Sequence, residues 1–184
     1  MSADAAGSVQ PPSQGALPWA IRWWWVWAAL ALVTGAITVA AAEGFNIVDL
    51  ELAGSIERAD EVVADTDADT IRLAIYWDFV FILCYALALW TGSQWARHQF
   101  AGGTGSSIGT PIASGALAAA ALDIVENVSM LGYLNGWGDW AGWATVARAT
   151  AIPKFLLVFV SIAYILIGVA AWGLGLVADR HRRR

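Results

Sequence analysis

Ala116-Leu-Ala-Ala-Ala-Ala-Leu-Asp-Ile-Val-Glu-Asn127 is the stretch on which the reading of this chain turns. It opens as an unbroken apolar run and then admits Asp123, Glu126 and Asn127. Positions i, i+3 and i+4 of a helix fall on one stripe about 100° wide, so the three side chains look the same way. A charge at membrane depth costs roughly 2.5–3.5 kcal/mol on insertion scales. A polar group turned toward lipid has nothing to bond. The stripe therefore belongs on an inward face of packed helices. Two other apolar runs carry the same kind of intrusion: Asp78 in Tyr76-Trp-Asp-Phe-Val-Phe-Ile-Leu83, and Lys154 at the head of Lys154-Phe-Leu-Leu-Val-Phe-Val160.

Composition agrees with a membrane reading. The chain is 59% hydrophobic and 14% charged, with mean hydropathy +0.59, against about 25% charged for an ordinary soluble domain. The single cysteine, Cys84, leaves no internal disulfide and no Cys-x-x-Cys redox or zinc motif. His98 and His181 both fall outside the apolar stretches, which excludes a bis-histidine haem within them. No nucleotide loop, metal-ligand cluster or nucleophile-plus-base spacing is present, so the sequence calls for no cofactor and leans away from an enzyme.

About 20 apolar residues cross a hydrocarbon core. Four stretches meet that length, about 19–42, 71–95, 111–134 and 153–178, and make one all-α, four-transmembrane-helix bundle domain. Residues 1–18 read as a disordered polar tail and 179–184 as a basic tail, Asp179-Arg-His-Arg-Arg-Arg184. Ala40-Ala-Ala42 resembles a signal-peptide cleavage site, but the first apolar stretch is too long and no positive charge precedes Arg22. Trp19, Trp23, Trp24, Trp25 and Trp27 suit a headgroup-level belt, and Trp137, Trp140 and Trp143 a second one. Proline at 153 suggests that any helix before it is an extra turn or two, kinked there.

Between the first two spans lies an acidic connection with Glu43, Asp49, Glu51, Glu57, Asp60, Glu61, Asp65, Asp67 and Asp69. Within it Val48, Leu52, Ile56, Ala59 and Val63 recur at three- and four-residue steps, the pattern of a short amphipathic surface helix. Asp65-Thr-Asp-Ala-Asp69 opens like a calcium loop. Thr70 stands where the loop needs glycine and Tyr76 where it needs glutamate, so the acids read as a solvated face.

Charge near the span ends sets orientation. Arg22, Arg97, Arg180, Arg182, Arg183 and Arg184 fall on one side; Arg58, Arg72 and Arg148 fall on the other with nearly all the acid. Both termini are then cytoplasmic in a multi-pass protein of the cell membrane. The bilayer is the first partner, with a membrane-protein partner or homo-oligomer beside it. The terminal arginines suit anionic inner-leaflet headgroups better than nucleic acid.

Asp78 and Tyr85 share a face, seven residues apart, and Lys154, Ser161, Gly168 and Gly175 form a heptad seam that allows close helix approach. At 1.5 Å per residue Asp78 and Glu126 lie at similar depth, roughly 10 Å in, with Asp123 one turn deeper. The expectation is one polar pocket of Asp78, Asp123, Glu126, Asn127 and Lys154, supported by Tyr85, Ser129 and Ser161. Lys154 pairs with Glu126 or Asp78, and the remaining acid is balanced either by protonation of at least one carboxyl or by Arg148 or Arg72 reaching in. Lys154 near the headgroups could instead snorkel outward.

The segments Ile47-Val-Asp-Leu-Glu-Leu-Ala-Gly-Ser55, Trp77-Asp-Phe-Val-Phe81, Leu122-Asp-Ile-Val-Glu-Asn127 and Lys154-Phe155 together resemble a set of uncharacterised bacterial four-span membrane proteins. The resemblance implies the same four-helix architecture and a bacterial inner-membrane setting. It also implies that Asp78, Asp123, Glu126, Asn127 and Lys154 belong together, and it carries over no activity. The residues lead first to a non-enzymatic subunit or partner in a membrane assembly; the alternatives are a small proton- or cation-coupled transporter acting as an oligomer, and a lipid-modifying enzyme at the outer leaflet with Glu126 and Asp78 as acid and base.

Overall fold

The computed structural model describes residues 19–100, 103–137 and 142–182, so the expected tail at 1–18 and the last two arginines lie outside it. The described residues form helices and no strand: α1 (Trp19–Arg22), α2 (Trp24–Ala41), α3 (Ile47–Glu51), α4 (Ile56–Val63), α5 (Ala68–Arg97), α6 (Gly103–Ser107), α7 (Gly109–Leu134) and α8 (Trp143–Arg182). Four helical stretches are long and apolar enough to cross a membrane: Trp24–Ala41, Ala68–Arg97, Thr104–Leu134 and Trp143–Leu174.

Local chemistry explains where these helices depart from the sequence reading. A break at Trp23 (φ −101°, ψ 21°) separates α1 from α2. The single amphipathic helix expected across the acidic connection is two short helices. Gly54, at φ +74°, turns the chain between them, and Asn46 and Ser55 cap their starts by accepting from the Val48 and Arg58 amides. Asp67, one of the false calcium ligands, caps α5 by accepting from the Asp69 and Thr70 amides at 3.0 and 3.1 Å. That starts α5 three residues earlier than the apolar run implied.

The Gly/Ser/Thr linker holds the short helix α6, and α7 begins at Gly109 with Pro111 in its first turn, where the missing N–H is tolerated. The largest difference is α8, which continues from Trp143 past Pro153 to Arg182 without an interruption of the helix. It starts ten residues before the expected span and carries helix into the basic tail.

α5 is the centre of the fold. α7 and α8 pack on each other and on α5, while α2 leans chiefly on α5 alone. Glycines set the close approaches. A Cβ on Gly168 would lie 2.5 Å from Ala96 Cβ, and one on Gly92 would lie 2.8 Å from Ile165 Cδ1, so α8 and α5 meet almost backbone to backbone. At one end Trp24 meets Trp95 at 5.4 Å and Trp95 meets Trp172 at 6.4 Å, tying α2, α5 and α8 together. Trp143 is not in a loop belt. It sits in the first turn of α8 against Gly132 and donates to the Trp137 carbonyl at 3.1 Å. Trp140 lies outside the described residues. Leu32, Leu83, Phe159, Leu166 and Leu174 of these long apolar helices stand exposed.

Candidate functional site

The polar stripe of α7 turns inward as its spacing requires. Glu126 and Asn127 are fully buried and Asp123 nearly so. α5 faces them with Asp78 and Tyr85, and α8 with Lys154. Because α8 begins at Trp143, Lys154 stands roughly 16 Å along the helix. It is 4% exposed and does not snorkel.

The contacts are specific. Lys154 Nζ donates to Glu126 Oε1 at 2.6 Å, to Asp123 Oδ1 at 3.0 Å and to Glu51 Oε2 at 3.2 Å. The Tyr85 hydroxyl donates to Asp123 Oδ2 at 2.7 Å, and Asn127 Nδ2 donates to Asp78 Oδ2 at 2.8 Å. Of the two partners expected for Lys154, Glu126 takes the role, and Asp78 bonds the asparagine instead. Charge-assisted bonds of this kind are short and strong, and breaking a buried ion pair costs about 3–5 kcal/mol.

Four supporting residues sit elsewhere. Ser129 and Ser161 are buried, but their hydroxyls donate to the carbonyls of Val125 and Leu157 in their own helices. Arg72 does not reach in. Its guanidinium donates to Asn135 Oδ1, Asp69 Oδ1 and the Leu134 carbonyl, closing the C-terminal end of α7. Arg148 is exposed and lies over Gly54. Both are held at the α3/α4 end, too far along their helices to balance the cluster.

Glu51 is the residue the sequence reading missed. The other acids of its connection are exposed, whereas Glu51 is 4% exposed and turned toward Lys154 from the last turn of α3. Burial pushes its carboxyl above the ordinary range, with the Lys154 ammonium pulling the other way. The available signal was its place in Ile47-Val-Asp-Leu-Glu-Leu-Ala53, an acid among apolar residues like the other cluster members.

The cluster is thus four carboxyls, Glu51, Asp78, Asp123 and Glu126, around one ammonium. Glu126 Oε2 and Asn127 Oδ1 are buried acceptors with no donor among the described residues. Glu51, Asp123 and Glu126 each offer an oxygen within 4.8 Å of the others. Lys154 Nζ already reaches all three, so the protein's own ammonium takes the place a hard cation would occupy between them.

A cleft of about 650 Å³ opens onto this cluster between α2 and α8. Leu32, Gly35 and Val39 of α2, Phe81 of α5, and Phe155 and Val158 of α8 form its apolar walls. Glu51, Asp78, Tyr85, Asp123 and Lys154 form its polar floor. It exists because α2 rests on α5 without closing against α7 and α8.

No family model, curated protein sequence or solved structure matches this chain.

Proposed function

We propose that this chain is a multi-pass protein of the bacterial inner membrane whose buried carboxyl cluster takes up and releases protons or a small cation. The observation that carries this reading is the imbalance of four carboxyls around a single lysine in an apolar interior. A site built only to pin helices together needs one acid per base. Excess acid in low dielectric must bind protons or another cation, because unpaired buried charge is prohibitively costly.

The proposed architecture is a four-helix bundle with α3 and α4 lying across its outer end. Arginines at 22, 97, 180 and 182–184 favour cytoplasmic termini, with the acidic α3/α4 end toward the outside. Four helices enclose little volume, so an oligomer is the working unit.

The test is reconstitution of the full chain into sealed vesicles carrying a pH gradient. Faster dissipation than in empty vesicles, lost in Glu126→Gln with helical content unchanged, supports the reading. Equal leak in protein-containing and empty vesicles contradicts it.

A second reading, a non-enzymatic subunit of a larger assembly, is favoured by one feature. The cluster draws side chains from α3, α5, α7 and α8, and so fixes the register of four elements at once. On that reading Glu126→Gln lowers abundance or assembly and leaves vesicle pH gradients untouched.

A further inference from the structure

We infer that the cleft between α2 and α8 receives a lipophilic organic cation from the side, its apolar body against the helices and its positive charge at Asp78. This names a ligand class for the exchange site proposed above and rests on that reading.

The shape of the cleft sets the kind of molecule. Cavities of roughly 300–1,000 Å³ bury most of a small organic ligand, and this one is about 650 Å³. Its walls are mainly aliphatic and aromatic, the Thr38 hydroxyl there being bonded to the Thr34 carbonyl, and the ionisable groups are confined to the floor. Two of the residues lining it on α2 are also open to the surroundings, Leu32 at 78% and Val39 at 73% exposed. A ligand already dissolved in the apolar phase reaches the floor without crossing a polar surface.

The charge of the floor sets its sign. Glu51, Asp78 and Asp123 all face the cleft. Lys154 is committed to Glu51, Asp123 and Glu126. Among the described residues, Asp78 alone of the four carboxyls makes no ion pair with it, and its one side-chain hydrogen bond comes from the neutral Asn127 amide. An anionic head would meet three carboxyls, and a neutral one would leave the acid excess as it was. A cation completes Asp78. The Phe81 and Tyr85 rings, 5.2 Å apart and lining the same cleft as Asp78, favour a diffuse organic charge over a small hydrated one. The exchange balances as one carboxylic acid plus one cation giving one carboxylate–cation pair and one released proton.

The experiment uses the purified full chain in mild detergent, tetraphenylphosphonium as probe and tetraphenylborate as the anion of matching shape, with binding read by equilibrium dialysis. The expected result is saturable phosphonium binding that tightens as pH rises, since protons and probe compete for the same carboxyl. Tetraphenylborate should bind no better than to empty micelles. Asp78→Asn should weaken phosphonium binding about tenfold or more. Leu32→Trp changes only an exposed position lining the cleft, and should block binding with helical content intact even if the Asp78 variant fails to fold.

No saturable binding by the folded wild type, or equal binding of the borate, overturns the inference. Dissipation of a vesicle pH gradient without phosphonium binding leaves the exchange site standing and removes this ligand class. Failure of both measurements removes both.

Discussion

The Lys154 ammonium and the Glu126 carboxylate meet at 2.6 Å between α8 and α7, and neither side chain has more than a trace of exposure. Asp123 and Glu51 share the same ammonium, so Lys154 is the one positive charge holding three acids in an apolar setting. Loss of this residue should cost more than loss of any one of its partners. Lys154→Met is expected to destabilise by about 3–5 kcal/mol. Glu126→Gln, which leaves Lys154 two carboxylates, should cost clearly less. Thermal unfolding of the two variants in the same detergent makes the comparison; equal losses would show that the three contacts do not act through one shared charge.

Glu51 gives the protein a pH dependence that its position in an acidic connection would not suggest. Its carboxyl is held above its ordinary value of 4.5, mainly by burial. A group raised in the folded state contributes its stability in full below the unfolded value and loses it as pH climbs through the folded one. Relative to Glu51→Gln, the wild type should therefore lose ground as pH rises from about 4.5. Melting temperatures of both proteins across that range test this, and parallel profiles would contradict a buried Glu51.

Two glycines of α8 offer a controlled contrast. A Cβ on Gly168 would meet Ala96 Cβ at 2.5 Å and its Cα at 2.9 Å, whereas one on Gly173 meets nothing within 4 Å. Gly168→Ala should force α8 from α5 and destabilise by about 1–3 kcal/mol. Gly173→Ala should be neutral or stabilising by up to about 1 kcal/mol through helix propensity. Unfolding in detergent checks the pair. Similar effects at both positions would rule out the close α5–α8 approach.

The tie between α7 and α5 can be tested at Tyr85, whose hydroxyl donates to Asp123. Tyr85→Phe removes that donor and leaves a buried carboxylate oxygen short of a bond, at a cost of about 1–3 kcal/mol. The loss should shrink in an Asp123→Asn background, which a double-mutant cycle measures. Additive losses would mean the contact carries no coupling.

What the sequence made legible was what lay within one helix. Asp123, Glu126 and Asn127 share a stripe because the helical period puts them there, and Asp78 and Tyr85 share a face for the same reason. What it hid depended on contacts far apart in the chain. Glu51 is buried because α3 packs against α8 and meets a lysine 103 positions away; its one mark in the acid-rich connection is the apolar company of Leu50, Leu52 and Ala53, which does not say what it will turn toward. Lys154 was ambiguous because proline reads as a boundary, yet α8 passes through Pro153 and carries the lysine well inside. Arg72 looked like a spare counter-charge. The early start of α5 at its Asp67 cap leaves Arg72 one turn in, beside the Leu134 carbonyl and Asn135, where it closes a helix end.

On the proposed function, four carboxyls around one ammonium keep an exchangeable proton. Infrared difference spectroscopy of the purified protein reads it directly. The expected spectrum has a protonated-carboxyl stretch at neutral pH that shifts in heavy water, fades as pH rises, and is diminished in Asp78→Asn or Glu126→Gln. A neutral-pH spectrum showing only ionised carboxylates would contradict it.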